Sequence, residues 1–201
     1  SILITGEQNS GKTFLAQHIV SSYLNDHRLF IVNPPGGGSI ELNTFKKSLQ
    51  NSTGISGSYR NIFSKIPEKS VILFDDIELW WEKTEKGNKV LVEIINLVNK
   101  YSHKCLFLLL VNKQSLDVIN EMVNIDKYLI SIIECTPFNS KTLKDIILFR
   151  HQSGGIKLQI EGSKRINMIS AKKASLFSKY FNYSDGNIGV ALYAWIANIT
   201  S

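Results

Sequence analysis

Near the start of the chain, two glycines, a lysine and a threonine stand at a fixed spacing. Four residues separate Gly6 from Gly11, and Lys12 and Thr13 follow directly, so the segment matches the pattern G-x-x-x-x-G-K-[ST] at every fixed position. An apolar run before the segment predicts a buried strand, and the residues after it predict a helix. Strand, loop and helix in this order are the setting in which the pattern binds phosphate.

The residue types explain the chemistry expected of this loop. Glycines let successive backbone N–H groups turn inward around a β-phosphate, and the helix N-terminus favours anions. Lys12 can reach the β- and γ-phosphates, and the Thr13 hydroxyl can bind Mg²⁺. The predicted nucleotide-binding residues are Gly6, Glu7, Gln8, Asn9, Ser10, Gly11, Lys12, Thr13 and Phe14.

A second apolar run, 71–74, ends directly in acidic residues. Asp75 would lie at the carboxyl end of a central parallel strand, where an open α/β sheet binds its ligand. There it is predicted to hold Mg²⁺ together with Thr13. Asp76 or Glu78 could then orient or deprotonate an attacking water. The alternative for these two acids is capping of a helix N-terminus.

A third apolar run, 105–112, ends in Asn112 at the same predicted edge of the sheet. Its side chain could polarise the attacking water or detect the γ-phosphate, and the alternative is a simple turn residue. The candidate catalytic residues are therefore Lys12, Asp76, Glu78 and Asn112. Two tryptophans, Trp80 and Trp81, follow the acidic residues, and packing against the next helix is favoured over a partner surface.

The alternation of apolar runs and helical patterns predicts an α/β fold of three layers. We expect a phosphate-loop domain with a five-stranded parallel sheet in residues 1–139 and a small, basic helical lid in residues 140–201. Ser115 is expected to cap a helix, and the polar segment 51–58 is expected to be a flexible loop. The predicted strands are 1–5, 28–33, 71–74, 105–112, 128–135 and, in the lid, 156–160; the predicted helices are 13–24, 40–49, 59–66, 90–98, 115–122, 142–151, 170–181 and 187–197.

Composition limits the classes of function. The 201 residues are 43% hydrophobic, which is enough for a buried core. Cys105 and Cys135 fall in predicted buried strands, which indicates reduced core residues of a cytoplasmic protein. No apolar run is long enough to cross a bilayer. Because the chain begins at the first strand without Met, we expect it to be a piece of a longer protein.

Charge is distributed unevenly along the chain. The net charge is +6, and all of it comes from residues 140–201, since the remainder is neutral. A basic region can bind nucleic acid or an acidic partner. The pattern favours the simpler alternative, a solvated lysine-rich helical surface.

Several phosphate-loop chemistries do not fit. A GTPase requires D-x-x-G after the second apolar run and N-K-x-D for guanine, whereas Asp75 precedes Asp-Ile-Glu and Asn112 precedes Lys-Gln-Ser. The Leu-Ser-Gly-Gly-Gln-like signature of transporter ATPases is not present. A small-molecule kinase is left open, although the four arginines do not form an arginine-rich lid.

The order of these motifs resembles that of AAA+ ATPases, and the segment 184–192 is similar to the Gly-Asn motif in the lid of origin-recognition-like and STAND-type members. The resemblance implies that Lys12 and Thr13 bind phosphate and Mg²⁺ and that Asp75 holds Mg²⁺. It also implies that Asp76 is the catalytic acid and Asn112 the first sensor.

The chain departs from that family at two positions. Gly189 stands where the family often has an arginine that contacts the γ-phosphate, and Lys127 stands nearest to the arginine finger. Lysine lacks the planar donor fork of arginine. Arg150 is the other candidate for either role. We therefore expect slow turnover in the isolated module.

The resemblance and the residues together predict an ATPase module that hydrolyses Mg·ATP at the γ-phosphate. Hydrolysis would be coupled to conformational change or self-association. The alternative is a nucleotide-gated switch with little hydrolysis, which engages nucleic acid or a protein partner through the basic C-terminal third.

Overall fold

The computed structural model describes most of the chain, and the chain divides into two compact units. The first unit contains Ser1–Glu7 and Lys12–Cys135, and the second contains Gln8–Gly11 and Thr136–Ser201. The four middle residues of the phosphate loop therefore belong to the second unit. The described residues are 1–37, 40–82, 87–155 and 166–198.

A five-stranded, wholly parallel sheet forms the centre of the first unit, in the order β2-β3-β4-β1-β5. All five residues of β3 are buried, because strands flank it on both sides and helices cover both faces of the sheet. The strands are β1 Ile2–Gly6, β2 Arg28–Val32, β3 Ser70–Phe74, β4 Cys105–Asn112 and β5 Ser131–Cys135.

Alternate residues of the central strands enter two separate cores. Ile72 and Phe74 join one apolar cluster, whereas Val71 and Leu73 join another, as expected when successive side chains point to opposite faces. The first cluster receives side chains from α2 to α5, and the second receives them from α1. The α/β fold with helices on both faces of the sheet is thereby confirmed.

Five α-helices and two short 3-10 helices surround this sheet in the described part of the first unit. The 3-10 helices occupy Ile77–Trp80 and Ile125–Tyr128. The α-helices are α1 Lys12–Tyr23, α2 Leu42–Thr53, α3 Tyr59–Lys65, α4 Lys89–Tyr101 and α5 Lys113–Val123.

Trp80 packs in the larger core. Its side chain is fully buried and meets the ring of Phe45 edge to face at 5.2 Å. Trp81 is partly buried against the same cluster. The expectation that these tryptophans pack internally is confirmed.

Several local predictions were wrong. Residues 51–53 belong to α2, because the helix continues to a left-handed C-cap at Gly54. Ser115 lies inside α5, whose cap is Asn112. The strand predicted over 128–135 begins only at Ser131, because a 3-10 helix precedes it.

The predicted burial of β5 was also wrong. This strand is at the edge of the sheet, and its residues are exposed or half-buried. Cys135 is therefore half-buried, whereas Cys105 is buried and its burial raises the pKa of the thiol to about 12. Both cysteines are free.

Three helices build the described part of the second unit: α6 Ser140–Ser153, α7 Ile166–Ser184 and α8 Ile188–Ala197. They bury a small cluster in which the Trp195 ring stacks on Phe177 at 5.6 Å. The strand predicted over 156–160 lies outside the described residues. Across the part of the chain that is described, no helix is sufficiently long and apolar to cross a membrane.

Candidate functional site

Polar residues follow three neighbouring strands where their carboxyl ends meet. Gly6 at the end of β1 is in register with Asn112 at the end of β4, and Phe74 at the end of β3 pairs with Leu109. Asp75 comes directly after β3. In an open parallel sheet, this edge is where ligands bind.

The Thr13 hydroxyl lies against the Asp75 carboxylate. Thr13 Oγ1 is 3.2 Å from Oδ1 and 3.1 Å from Oδ2 of Asp75, although 62 positions separate the two residues. The loop places Thr13 in the first turn of α1, and β3 ends at Asp75. A hydroxyl and a carboxylate side by side are hard oxygen donors of the kind that Mg²⁺ prefers.

The environment of Asp75 disfavours an unpaired negative charge. Burial and then the neighbouring Asp76 raise the pKa of Asp75, while hydrogen bonds from the Thr13 hydroxyl and the Asp76 N–H oppose that rise. A cation at this point would offset both the burial and the repulsion. The donor set therefore fits a divalent metal ion.

Asp76 has an unusual backbone. Its φ of 44° and ψ of 58° place a non-glycine residue in the left-handed region. Its backbone N–H donates to Asp75 Oδ1 at 3.1 Å. Although Asp76 precedes a 3-10 helix, its side chain makes no capping hydrogen bond there. The capping interpretation was therefore wrong for Asp76, and the strained backbone is of the kind found at functional sites.

Glu78 contacts the end of β4. Its Oε2 accepts a hydrogen bond from the Asn112 backbone N–H at 3.0 Å. The carboxylate thus links the segment after β3 to the last residue of β4 and does not cap its own helix. No pattern in the sequence indicated this link, because the two residues are 34 positions apart.

Asn112 caps the helix that follows it. Its Oδ1 accepts from the Gln114 backbone N–H at 3.0 Å, which satisfies a free donor at the start of α5. The side chain is therefore held at the carboxyl edge of the sheet. Its proposed role towards the γ-phosphate stays a prediction.

Lys12 bonds to its own loop. Its ammonium donates to the carbonyl oxygens of Gly6 at 3.1 Å and Glu7 at 2.9 Å, and only 7% of the residue is exposed. A buried ammonium needs such partners. These bonds hold the charge at the first turn of the loop, next to the N-terminus of α1.

The middle of the loop packs within the second unit. The Asn187 Nδ2 donates to the Gln8 carbonyl at 2.9 Å, and the Gly189 N–H donates to the Asn9 carbonyl at 3.0 Å. Asn9 is left-handed, with φ of 64°. The sequence singled out the segment around Asn187, but it could not reveal a contact across 179 positions.

The remaining candidate residues lie on exposed surfaces. Phe14 is 64% exposed, and its ring is nearly parallel to that of His18 at 6.2 Å. Lys127 is exposed on the 3-10 helix before β5, and Arg150 is exposed in the last turn of α6. The roles predicted for Phe14 in nucleotide binding and for Lys127 and Arg150 as a finger or sensor stay predictions. Among the described residues, no group of three or more His, Cys, Asp and Glu side chains could hold a metal.

The fold resembles that of AAA+ ATPases. Solved structures similar to this chain include a Walker-type ATPase of Pyrococcus abyssi, with a TM-score of 0.66, 13% identity, and coverage of 98% of this chain and 63% of that one. The Aeropyrum pernix Orc1 protein in complex with DNA gives a TM-score of 0.64, 15% identity, and coverage of 96% and 51%. The Thermotoga maritima RuvB Holliday junction branch migration motor gives a TM-score of 0.59 and 14% identity, with coverage of 96% of this chain and 51% of that one.

The resemblance to AAA+ ATPases is therefore confirmed at the level of fold. The chain spans 51–63% of the length of these structures. No family model matches the sequence, and no curated protein matches it.

Proposed function

We propose that this chain is an ATPase module that binds Mg·ATP and hydrolyses its terminal anhydride bond. The observation that carries the proposal is the contact of the Thr13 hydroxyl with the Asp75 carboxylate at 3.1–3.2 Å, directly after a complete phosphate-loop pattern. A chance glycine loop would not bring these two oxygen donors together at the carboxyl edge of a parallel sheet. The ATPases of similar fold support the same reaction class.

Phosphate binding would use the loop and Lys12. The buried ammonium is held at the start of the loop, from which it can exchange a carbonyl partner for a phosphate oxygen. Its charge would offset the negative charge that accumulates on the phosphoryl oxygens during transfer.

The metal would be held by Thr13 and Asp75. A divalent metal ion held there would supply positive charge that offsets part of the charge of the phosphates. The raised pKa of Asp75 fits this assignment, because burial and Asp76 favour a cation over an unpaired carboxylate. Phe14, which follows the loop, is the candidate for contact with the remainder of the nucleotide.

Water activation is assigned to Asp76. Its carboxylate follows the metal-binding residue directly and makes no capping bond. Glu78 is engaged with the Asn112 N–H and is better placed to orient that residue. Asn112 would in turn contact the water or the γ-phosphate.

The first prediction is that Mg·ATP raises the melting temperature of the protein and that Lys12→Ala removes this effect. At a hundredfold excess over the dissociation constant, the ligand should add about 2.7 kcal/mol to the free energy of unfolding. Thermal unfolding with and without nucleotide measures the shift. Lys47→Ala, at an exposed lysine of α2, is the matched control and should respond to ATP as the original protein does.

Two outcomes would contradict the proposal. An equal shift in the Lys12→Ala protein would show that ATP binds elsewhere. A larger shift with GTP than with ATP would favour the guanine specificity that the sequence argues against.

The second candidate is a nucleotide-gated switch with little hydrolysis. It is supported by the absence of arginine at positions 189 and 127, since an arginine finger can contribute about 10³-fold or more to the rate. Its partner would be a protein or nucleic acid that binds to the basic residues 140–201. The fold likeness to an Orc1 protein in complex with DNA makes nucleic acid the partner to test first.

We also propose self-association, in which a second copy would supply Lys127 or Arg150 in the role of an arginine finger. Turnover that rises more steeply than protein concentration would support this arrangement. Strictly proportional turnover would oppose it.

A further inference from the structure

The start of α8 approaches the phosphate loop more closely than a side chain would permit. A Cβ built on Gly189 would lie 2.5 Å from Asn9 Cβ and 2.6 Å from the Asn9 carbonyl oxygen. Real Cβ atoms do not make such contacts, so the loop would have to move if any other residue stood at this position. Gly189 therefore does more than lack the arginine that AAA+ ATPases often have at this position, because its backbone N–H bonds to the loop itself.

Two hydrogen bonds fix the direction of consecutive loop carbonyls. Asn187 Nδ2 donates to the Gln8 oxygen at 2.9 Å, and the Gly189 N–H donates to the Asn9 oxygen at 3.0 Å. Asn187 is 7% exposed, so its amide has little access to water as an alternative partner. Its Oδ1 also caps α8 by accepting from the Val190 N–H at 3.2 Å.

Peptide planarity carries this constraint to the opposite side of the loop. In a trans peptide unit, the C=O and the following N–H point in opposite directions. When α8 holds the carbonyls of Gln8 and Asn9, it therefore turns the N–H groups of Asn9 and Ser10 away from itself. The left-handed φ of 64° at Asn9 makes these neighbouring N–H groups part of a concave donor arrangement of the kind that binds anions.

We infer that Asn187 and Gly189 are positioning residues for nucleotide binding, which set the peptide planes of the phosphate loop from within the second unit. The inference rests on the proposed function, since it concerns the same loop. In AAA+ ATPases an arginine at this position often contacts the γ-phosphate. Here the same segment would instead control the backbone N–H donors that surround the β-phosphate. ATP and ADP share the β-phosphate, so both nucleotides depend on this control.

The test is the affinity for Mg·ATP and Mg·ADP of the whole chain carrying Asn187→Ser or Gly189→Ala. Serine keeps a cap for α8 but is too short for its hydroxyl to reach the Gln8 carbonyl, so we expect both nucleotides to bind about fivefold more weakly. The Gly189→Ala methyl displaces Asn9, and we expect a loss of about tenfold or more for both. Calorimetric titration and the melting temperature of the nucleotide-free protein are measured together.

Two matched controls separate positioning from helix stability. Asn139 caps α6 through the Thr142 N–H at 2.9 Å, and no loop carbonyl is among its described partners, so Asn139→Ser should leave both affinities unchanged. Gly36→Ala introduces a methyl group where no other atom lies within 4 Å, so it should also leave both affinities unchanged. Asn187→Asp keeps the size and the cap while removing the donor, and it replaces Asn187→Ser if that protein fails to fold.

The outcomes distinguish the inference from the proposed function. If Lys12→Ala loses nucleotide binding while Asn187→Ser and Gly189→Ala bind as the original protein does, positioning by α8 is wrong and the ATPase proposal survives. Weaker binding of ATP with unchanged binding of ADP would assign these residues to γ-phosphate detection and overturn the inference. If the original protein binds neither nucleotide, the proposed function fails and the inference fails with it.

Discussion

The two compact units place their buried polar groups differently. In the first unit, buried Lys12 lies at the carboxyl edge of an apolar sheet, close in sequence to Thr13 and its bond to Asp75. In the second unit, buried His151 contacts the apolar cluster, with its ring edge to face against Trp195 at 5.5 Å. Neither ring nitrogen of His151 has a hydrogen-bond partner within the described residues.

The two units also differ in net charge. All of the net charge of +6 lies in residues 140–201, whereas the preceding residues are neutral as a set. The first unit therefore holds the polar groups for which phosphate chemistry is proposed, whereas the second unit carries the positive charge. Three substitution experiments examine this contrast, beginning with the largest expected effect.

The chemistry assigned to the first unit predicts that Asp76→Asn lowers ATP hydrolysis by about 10²-fold or more while Mg·ATP still binds. The amide keeps the size of the side chain but cannot accept a proton from water. Steady-state turnover and equilibrium binding of ATP measure the two effects separately.

Glu78→Gln is the matched comparison for Asp76→Asn. Its amide oxygen can still accept from the Asn112 N–H, so the loss of turnover should be much smaller. If Glu78→Gln abolished hydrolysis and Asp76→Asn left it intact, the catalytic role would belong to Glu78.

Any binding of duplex DNA is predicted to depend on the positive charge of residues 140–201 and to weaken with salt. Each phosphate contact should lower the logarithm of affinity by about 0.9 for each unit of log salt. Lys173→Glu together with Lys179→Glu on α7 should remove about two such contacts and flatten that slope. A labelled duplex titrated at several salt concentrations measures it.

Reversal of two lysines in the first unit, Lys46→Glu with Lys47→Glu on α2, changes the net charge equally and is the control. Equal weakening by both pairs would indicate only an effect of total charge. A duplex that does not bind even at low salt would remove nucleic acid as a direct partner. Two other basic residues of this region, Lys164 and Arg165, lie outside the described residues.

The smallest expected effect is an increase in stability from His151→Phe. The substitution removes two buried nitrogens that lack partners among the described residues and keeps an aromatic ring against Trp195. We expect the free energy of unfolding to rise by about 1 kcal/mol, or the melting temperature by about 2–4 °C.

His103→Phe, at an exposed position between α4 and β4, is the control and should change stability little. If His151→Phe instead destabilised the protein by a similar amount, the imidazole would have a polar partner, and the contrast between the units would weaken.

Much of the sheet unit could be predicted from sequence because its signals are local. All five strands were predicted from short runs rich in apolar residues, and the glycine spacing of the loop is fixed by the backbone geometry that phosphate binding needs. The end of each run also marks which residues reach the carboxyl edge, so Asp75 and Asn112 could be proposed without coordinates. What the sequence did not predict was the exposure of β5, which lies at an edge of the sheet with its residues exposed or half-buried.

Tertiary structure decided which polar groups meet. The bond from the Asn112 N–H to Glu78 crosses 34 positions, and that from Asn187 to Gln8 crosses 179, so no spacing rule could have indicated either. By itself, the sequence determined the loop, the strand ends and the segregation of charge, because these depend on residue type and local periodicity. Only the fold decided that Gly189 lies against the phosphate loop, because close approach of two backbones depends on how distant elements pack.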